Sequence, residues 1–449
     1  MENRKYKIAV VGSGVYGSYL INKLREDETC QITLFEIGSK EPQKDFKFNL
    51  NSTNLNEEYS GAKNGRFFGF GGTSTKWGGK ILFFDKKSFS NVTSFLSEIV
   101  DINIKYSKNV ISKLNLNKYV SISSDYVFKE FRIEEGHWLF PFRKNFFKIF
   151  KINDQISIKE SCKVVSAKNI SGLVNLKYIE KEKLKNEDFD FVFLCAGAFE
   201  SSRILVQSKL EKPVLSFADH IGLKFAESKE NLKILNIDFC YKISNFALKT
   251  LRLSSELNNK SFYVHPIYDF DNGSLGLVKK IMKNELSFSF VKDFLLNFHK
   301  EILWLLRCVL KSKILPPSQK WSLNITMENI DDKNLIHFYD LDKLGFSKMK
   351  INYRVSNSTK NDMRKAIDKI KILLSEKKLK YLENEDLNNY EDVYHPFGIL
   401  KFKDLNDFKY KYGKIICFST AILPRSGSIN PTGAILPLIE YIADEKIWR

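Results

Sequence analysis

The segment Lys7–Gly17, KIAVVGSGVYG, constrains this chain more than any other. Ile8 to Val11 run as an unbroken apolar stretch into glycine, the pattern of a strand buried on both faces of a parallel sheet. Gly12-Ser13-Gly14-Val15-Tyr16-Gly17 then fits G-x-G-x-x-G, and Ser18–Glu26 follows with Leu20, Ile21 and Leu24 on one helical face. Gln31–Glu36 (QITLFE) reads as a second strand. A strand, a glycine turn, a helix and a strand in so short a span make a βαβ unit.

The first glycine of such a motif permits the tight turn, the second lets a pyrophosphate approach the backbone, and the third lets helix and strand pack closely. The phosphate would sit at the positive end of the helix that begins near Val15 and Tyr16. Glu36 ends the second strand 19 residues after Gly17. A carboxylate there accepts hydrogen bonds from the ribose hydroxyls of adenosine and repels a 2′-phosphate, so the pattern implies FAD or NAD(H) rather than NADP.

The next block separates these two. Residues 61–79 hold seven of the 22 glycines, a density that marks backbone passing close to something bulky. Within it, Gly69-Phe70-Gly71-Gly72-Thr73-Ser74-Thr75-Lys76-Trp77-Gly78-Gly79 is not needed by a nicotinamide enzyme. Backbone N–H groups there can face a flat polar ring such as isoalloxazine, with Thr73 and Ser74 as hydrogen-bonding groups and Trp77 as a shielding surface. Further on, the strand Phe191–Cys195 exits through Ala196-Gly197-Ala198, small residues that let the chain pass close to a dinucleotide. Near the C-terminus a strand, Ile415–Phe418, and a turn at Pro424, Gly427 and Ser428 precede Asn430-Pro431-Thr432. Asn430 is expected as N-cap and Pro431 as first residue of a helix running through Ala443, its positive end aimed at the pyrimidine edge of a flavin. His395, in Tyr394-His395-Pro396-Phe397-Gly398, falls 35 residues before Asn430. Structural roles are expected for His265, His299 and His337, while His137 and His220 stay open.

Composition narrows the class. The chain has 449 residues, enough for two to three domains. Its net charge of +18 is dispersed rather than massed, which argues for general basicity and against a nucleic-acid footprint. Cys30, Cys162, Cys195, Cys240, Cys308 and Cys417 form no CxxC pair and read as buried thiols of a reducing compartment, with no metal site. The charged N-terminus leads to the expectation of no secretion signal, and no apolar run reaches the length of a membrane span. The expected location is the cytoplasm, at most on the inner face of the membrane. Strands are expected at Ile156–Lys159, Lys163–Ala167 and Leu173–Tyr178, and alternating strands and Lys-rich helices over 216–385. Phe290–Ile314 reads as an amphipathic helix or helix pair, expected to pack on the protein's own core rather than on a membrane surface.

With these blocks in order, the sequence resembles the glucose-methanol-choline (GMC) oxidoreductase family of FAD enzymes. The resemblance rests on GSGVYG with Glu36, GFGGTSTKWGG, FLCAGAFESSRIL, and YHPFG followed by LPRSGSINPTGAILPLIEYIAD. Met327–Asp342 is similar to a strand pair of the family's substrate domain. The resemblance implies an α/β fold with a discontinuous Rossmann-like FAD-binding domain from 1–90, 156–215 and 386–449. An α+β substrate domain on an antiparallel sheet, 91–155 and 216–385, would be inserted into it. It implies that Gly12, Gly14 and Gly17 hold the pyrophosphate, Glu36 the ribose, Gly72, Thr73 and Ser74 the flavin, and the backbone of Val164 or Val165 the adenine. His395 would be the base and Asn430 its polar partner. Ser419 stands where the family has an Asp near the ribityl chain, Ser202 where it has Pro, and Gly398-Ile399-Leu400-Lys401-Phe402 where it has Gly-Thr and then Arg-Met-Gly. These departures bear on the shape of the active site and on the electron acceptor.

The implied activity is oxidation of a CH–OH group of a sugar, polyol or other alcohol, with hydride transfer to flavin N5 and an acceptor the sequence does not name. Three alternatives accompany it. One is a dehydrogenase feeding membrane quinone through a contact at 290–314, another a degenerate flavoprotein acting as a non-catalytic binding subunit. An NAD-only dehydrogenase is the weakest.

Overall fold

The computed structural model describes residues 4–449 apart from 51, 58, 117–126, 129, 153–155, 229–232, 235–236, 240, 245–246, 269–286, 312, 315–320, 343–344, 377–379 and 384–388. Cys240 lies outside the described residues, and no disulfide joins the five described cysteines.

Five parallel strands form a central sheet in the order Ile415–Cys417, Phe191–Leu194, Tyr6–Val11, Cys30–Phe35 and Ser157–Lys159. The first strand of the chain lies in the middle, which is why Ile8, Ala9, Val10 and Val11 are all buried. Segments from the beginning, middle and end of the chain thus share one sheet. The helices Val15–Leu24 and Thr432–Glu445 pack on each other, and the buried Tyr19 donates its hydroxyl to the buried Glu440 at 2.7 Å. An antiparallel meander of Cys162–Ile170, Leu173–Glu180 and Lys183–Phe189 packs against the sheet through Phe35, whose ring meets Tyr178 and Phe189 edge-on.

Residues 91–155 divide between two surroundings. The helix Ser94–Lys113, capped by the Thr93 side chain on Leu96 N, lies on the C-terminal helix, where Asn103 Nδ2 donates to Ala434 O at 2.9 Å. The strand Phe131–Leu139 joins a large antiparallel sheet by pairing with Ala247–Leu257.

That sheet corrects the expectation of alternating strands and helices over 216–385. Asp219–Ser228, Ala247–Leu257, Lys260–Tyr268 and Trp321–Asn329 pair antiparallel, and the described helices are confined to Phe288–Leu296, Phe298–Lys311 and Asn357–Glu376. The Met327–Asp342 segment supplies two strands, yet they enter different sheets. Trp321–Asn329 sits in the large one, and Leu335–Leu341 pairs with Val214–Ser216 and Ser347–Asn352 in a small one. Asn329 Nδ2 bonds Arg354 O, and Asp331 pairs with Arg354, which turns the chain from one sheet to the other.

The stretch 290–314 is a helix pair, but it does not bury its apolar stripe. Cys308 is buried, while Leu295, Leu296, Leu303, Leu306, Val309 and Leu310 are exposed. The helices border the edge strand Lys313–Ile314, which is too short to cover a stripe of that length.

A cavity of about 940 Å³ opens where the parallel strands end and runs to the face of the large antiparallel sheet. Ligands of open α/β sheets bind at this edge, outside the carboxyl ends of the strands.

Candidate active site

The cavity begins at the glycine turn. Gly12 has φ +99°, and a Cβ there would lie 2.6 Å from Cys195 O, so turn and neighbouring strand both require glycine. A Cβ on Gly17 would lie 1.9 Å from Gly12 O, which is how closely helix and turn pack. At Gly14 a Cβ would meet nothing within 4 Å, so its bare backbone faces the cavity. The helix that follows has no side-chain cap and no acidic residue in its first turn, leaving its leading N–H groups open to an anion.

Glu36 is buried here and accepts from Ser13 N at 2.9 Å, Ser13 Oγ at 2.6 Å, Gly38 N at 3.1 Å and Gly69 N at 3.0 Å. Four donors engage the roughly four acceptor positions of a carboxylate. Glu36 therefore braces the glycine turn against the Gly69–Gly79 loop, and any ribose contact would be shared with those donors. Ser13 Oγ extends the brace to Gly69 O and Gly71 N.

In that loop the side chains turn inward, against expectation. Ser74 Oγ donates to Gly71 O at 2.5 Å, and Thr73 Oγ1 accepts from Phe67 N at 3.2 Å and donates to Gly65 O at 3.3 Å. The tight 3₁₀ turn Gly72–Thr75 places the serine hydroxyl beside the carbonyl three residues back. Trp77 lines the cavity and gives its indole N–H to Lys144 O at 3.2 Å. What the loop offers a ligand is chiefly backbone.

Gly12, Gly14, Tyr16, Glu36, Gly72, Thr73, Ser74, Trp77, Val164, Ala196, Gly197, Pro431 and Thr432 line the cavity. Gly17, Gly71, Val165 and Ser419 stand behind it. Val165 packs with Leu50, Phe68, Ile179 and Phe346, its carbonyl accepting from Gln207 Nε2. Ser419 is fully buried beside Cys417, and the neighbouring Thr420 takes the place on the wall. Burial holds the Tyr16 hydroxyl protonated, next to the Thr432 side chain.

His395 and Asn430 meet at the other end of the cavity, with Asn430 Nδ2 3.4 Å from His395 Nε2. The expected N-cap is corrected: Pro431 occupies the cap position, and no side chain caps the helix. The backbone is already helical there, with Gly433 N reaching Asn430 O, so the Asn430 carboxamide is directed to the histidine instead. His395 Nδ1 and Asn430 Oδ1 have no partner among the described residues. Burial pushes the His395 imidazole down to about 3, with His220, Arg252 and Lys80 adding positive charge nearby, so it is neutral at physiological pH.

Asp219, which sequence reasoning passed over, holds this histidine. Its Oδ1 accepts from His395 N at 2.7 Å and from His220 N at 2.6 Å, while Oδ2 meets the Tyr59 hydroxyl. Burial, with the charge of Asp392 adding to it, pushes Asp219 up to about 8. The His220 ring stands perpendicular to that of His395 and bonds Gly427 O through Nε2 at 2.8 Å. The turn before Asn430 is fixed by the buried Glu328, which pairs with Arg425 and accepts from Gly427 N at 2.8 Å and Ser426 N at 3.1 Å.

The far wall is the large sheet. Tyr263 and His265 alternate with buried Val264 on one strand, opposite Thr326 and Asn324 on the next, and Gly222 and Lys224 continue the two rows. Lys80 enters from a short edge strand. Strand alternation was the available signal, but it shows a shared face only once the register is known.

No protein-family model matches the chain, and no curated protein matches it in sequence. Solved structures do. The chain is similar to pyridoxine 4-oxidase from Mesorbium loti at a TM-score of 0.56 and 12% identity, over 98% of this chain and 99% of that one. It is similar to a formate oxidase of Aspergillus oryzae, a protein with a modified FAD, at a TM-score of 0.57 and 12% identity, over 98% of each chain. At that identity the likeness is one of fold, and it extends over essentially the whole chain.

Proposed function

We propose that this protein is an FAD-dependent oxidoreductase of the GMC type that oxidises a CH–OH group, with His395 as base. The observation that carries the reading is a neutral, partly unsatisfied imidazole beside a carboxamide in the wall of the cavity that starts at the Gly12 turn. The fold shared with two oxidases, one of them an FAD protein, supports it.

The residues present suit the cofactor. The cavity lies at the upper end of the usual range for ligand sites, roughly 300–1,000 Å³. Added Cβ atoms at Gly14, Gly78 and Gly197, which all line it, would stand in open space, as a backbone cradle for a large flat ligand requires. Gly12, Gly14 and the first turn of the following helix would hold the pyrophosphate, and the Gly72–Gly79 backbone with Pro431 and Thr432 the flavin.

Bound FAD supplies the acceptor for the hydride that leaves the carbinol carbon. His395 takes the hydroxyl proton, which its neutral ring is free to accept. Asn430 hydrogen-bonds the same oxygen and orients it as the carbonyl forms. Asp219 keeps the histidine backbone in place through both half-reactions, and Glu328 with Arg425 does the same for the turn that carries Asn430. Holding the hydroxyl between two fixed groups supplies part of the acceleration through orientation alone. Replacing His395 by Ala should lower turnover with an alcohol substrate by about 10²–10⁴-fold while the flavin absorbance stays. Unchanged turnover would remove His395 from the role.

A second observation favours a membrane surface as a working site. On the helices Phe288–Leu296 and Phe298–Lys311, Phe288 is 87% and Leu310 83% exposed, and the stripe through Leu303 and Leu306 is exposed with them. Lys292, Lys300, Arg307 and Lys311 flank it, also exposed, on a chain of net charge +18. An apolar stripe edged with cations suits the interface of an anionic bilayer. No helix among the described residues is long and apolar enough to cross one. Co-sedimentation with phosphatidylglycerol vesicles, weakened by salt and by Leu306→Glu, is the expected result; no binding to such vesicles would end this reading.

A further inference from the structure

The chamber between His395 and the large sheet contains a cation without a counter-charge. Lys80 lines the cavity from its edge strand, half-buried, with its ammonium over the Trp138 ring at 5.3 Å. Among the described residues it makes no ion pair and no hydrogen bond to a side chain. The charges beside it are of its own sign or neutral: Arg252, which lies over Tyr263 and bonds Glu134, and the imidazoles of His265 and His395.

The carboxylates on the cavity wall are all accounted for elsewhere. Glu36 is engaged in the glycine brace at the other end. Glu200 pairs with Arg66 and Arg203. Glu391 is exposed at the rim. Burial, with Arg252 adding to it, lowers the Lys80 ammonium to about 7, the expected direction for an amine partly withdrawn from water and given no anion. Two further polar atoms on the same wall, His265 Nδ1 and Asn324 Oδ1, have no partner among the described residues, and register places these residues directly opposite each other. A half-buried cation without an ion-pair partner and two unsatisfied hydrogen-bonding atoms on one wall form a recognition surface that the protein itself does not complete.

We propose that Lys80 is the anchor of an anion subsite, so that the alcohol oxidised here carries an acidic group, a carboxylate or a phosphate ester. That group sits on Lys80, with His265 and Asn324 meeting the polar groups next to it, while the carbinol lies between His395 and Asn430. This assignment of substrate class rests on the proposed oxidation at the His395 end. The anion is recognised before any chemistry, and no bond to it is made or broken.

The test is binding to the holoprotein, followed by calorimetry, with inorganic phosphate, acetate, glucuronate and glucose 6-phosphate, and glucose as the neutral control. Phosphate against acetate, and glucose 6-phosphate against glucuronate, decide which acid is preferred. At least one acidic sugar should bind tenfold or more tighter than glucose. Lys80→Met should weaken that binding by about thirtyfold or more and leave glucose unchanged, whereas Lys80→Arg should retain most of it. If none of the four anions distinguishes wild type from Lys80→Met, the subsite does not exist. A yellow protein whose flavin is reduced by neutral alcohols yet ignores charge would overturn the subsite and leave the oxidation standing. A colourless protein that binds the anions through Lys80 would do the reverse.

Discussion

The two ends of the cavity are built on opposite principles. Around Gly12–Gly17 and Gly69–Gly79 the side chains are satisfied within the protein: Ser13, Glu36, Thr73 and Ser74 all bond neighbouring backbone or each other. The surface left for a ligand is main chain, shaped by glycines. At the chamber end the backbone is paired in a regular sheet, and the unsatisfied atoms belong to side chains, His265, Asn324, His395 and Asn430, with Lys80 beside them. On the proposed reading, the first end would hold a dinucleotide through main chain alone, whatever lies beyond it. The second end is where, on the same reading, side chains would set specificity.

Two glycines three positions apart put the largest effect on this contrast. Gly17→Ala drives a Cβ against Gly12 O, a backbone atom that cannot swing aside, and should cost at least about 1–3 kcal/mol along with the bound flavin. Gly14→Ala places its Cβ in open space, so the apoprotein should keep its melting temperature while flavin affinity falls by about tenfold or more, one lost close approach being worth about 1.4 kcal/mol. Melting curves of the apoproteins and the visible absorbance after reconstitution read both. Equal loss of apoprotein stability in the two variants would erase the distinction between cradle and packing.

The same contrast explains what could be read in advance. Ile8–Val11, Gly12–Gly17 and Glu36 lie close in sequence, and each residue type answers to a local backbone need, so the turn and its two strands are legible from spacing. Even there the reach of Glu36 to Gly69 is hidden, because it depends on a loop folding back from further along the chain. Asn430 followed by Pro431 has the composition of a cap, but a histidine 35 residues earlier competes for the same carboxamide. Lys80, Asn324 and His265 look like ordinary residues of three strands, and their common wall exists only through pairing register. The stripe at 290–314 shows the limit of periodicity: it marks an amphipathic helix and says nothing about what the apolar side faces.

The smallest effect is the most discriminating for how the His395 end is held. Asp219 is raised to about 8 in the fold, chiefly by burial, against an ordinary 3.8. Between those values the folded chain binds more protons than the unfolded one, so the contribution of this residue is complete at low pH and is lost as pH rises through about 8. His395, lowered to about 3, works in the other window and weakens the fold as pH falls below about 6.5. Asp219→Asn keeps an acceptor for the His220 and His395 N–H groups and a donor for Tyr59, and removes the titration. Near pH 4 the variant should match wild type within about 1 kcal/mol, and from there toward pH 8 it should become progressively the more stable of the two, with turnover little changed. Parallel melting temperatures across that range would mean that the carboxyl is already ionised when folded, and His395 would then be anchored by a charge rather than by a neutral hydrogen-bonding group.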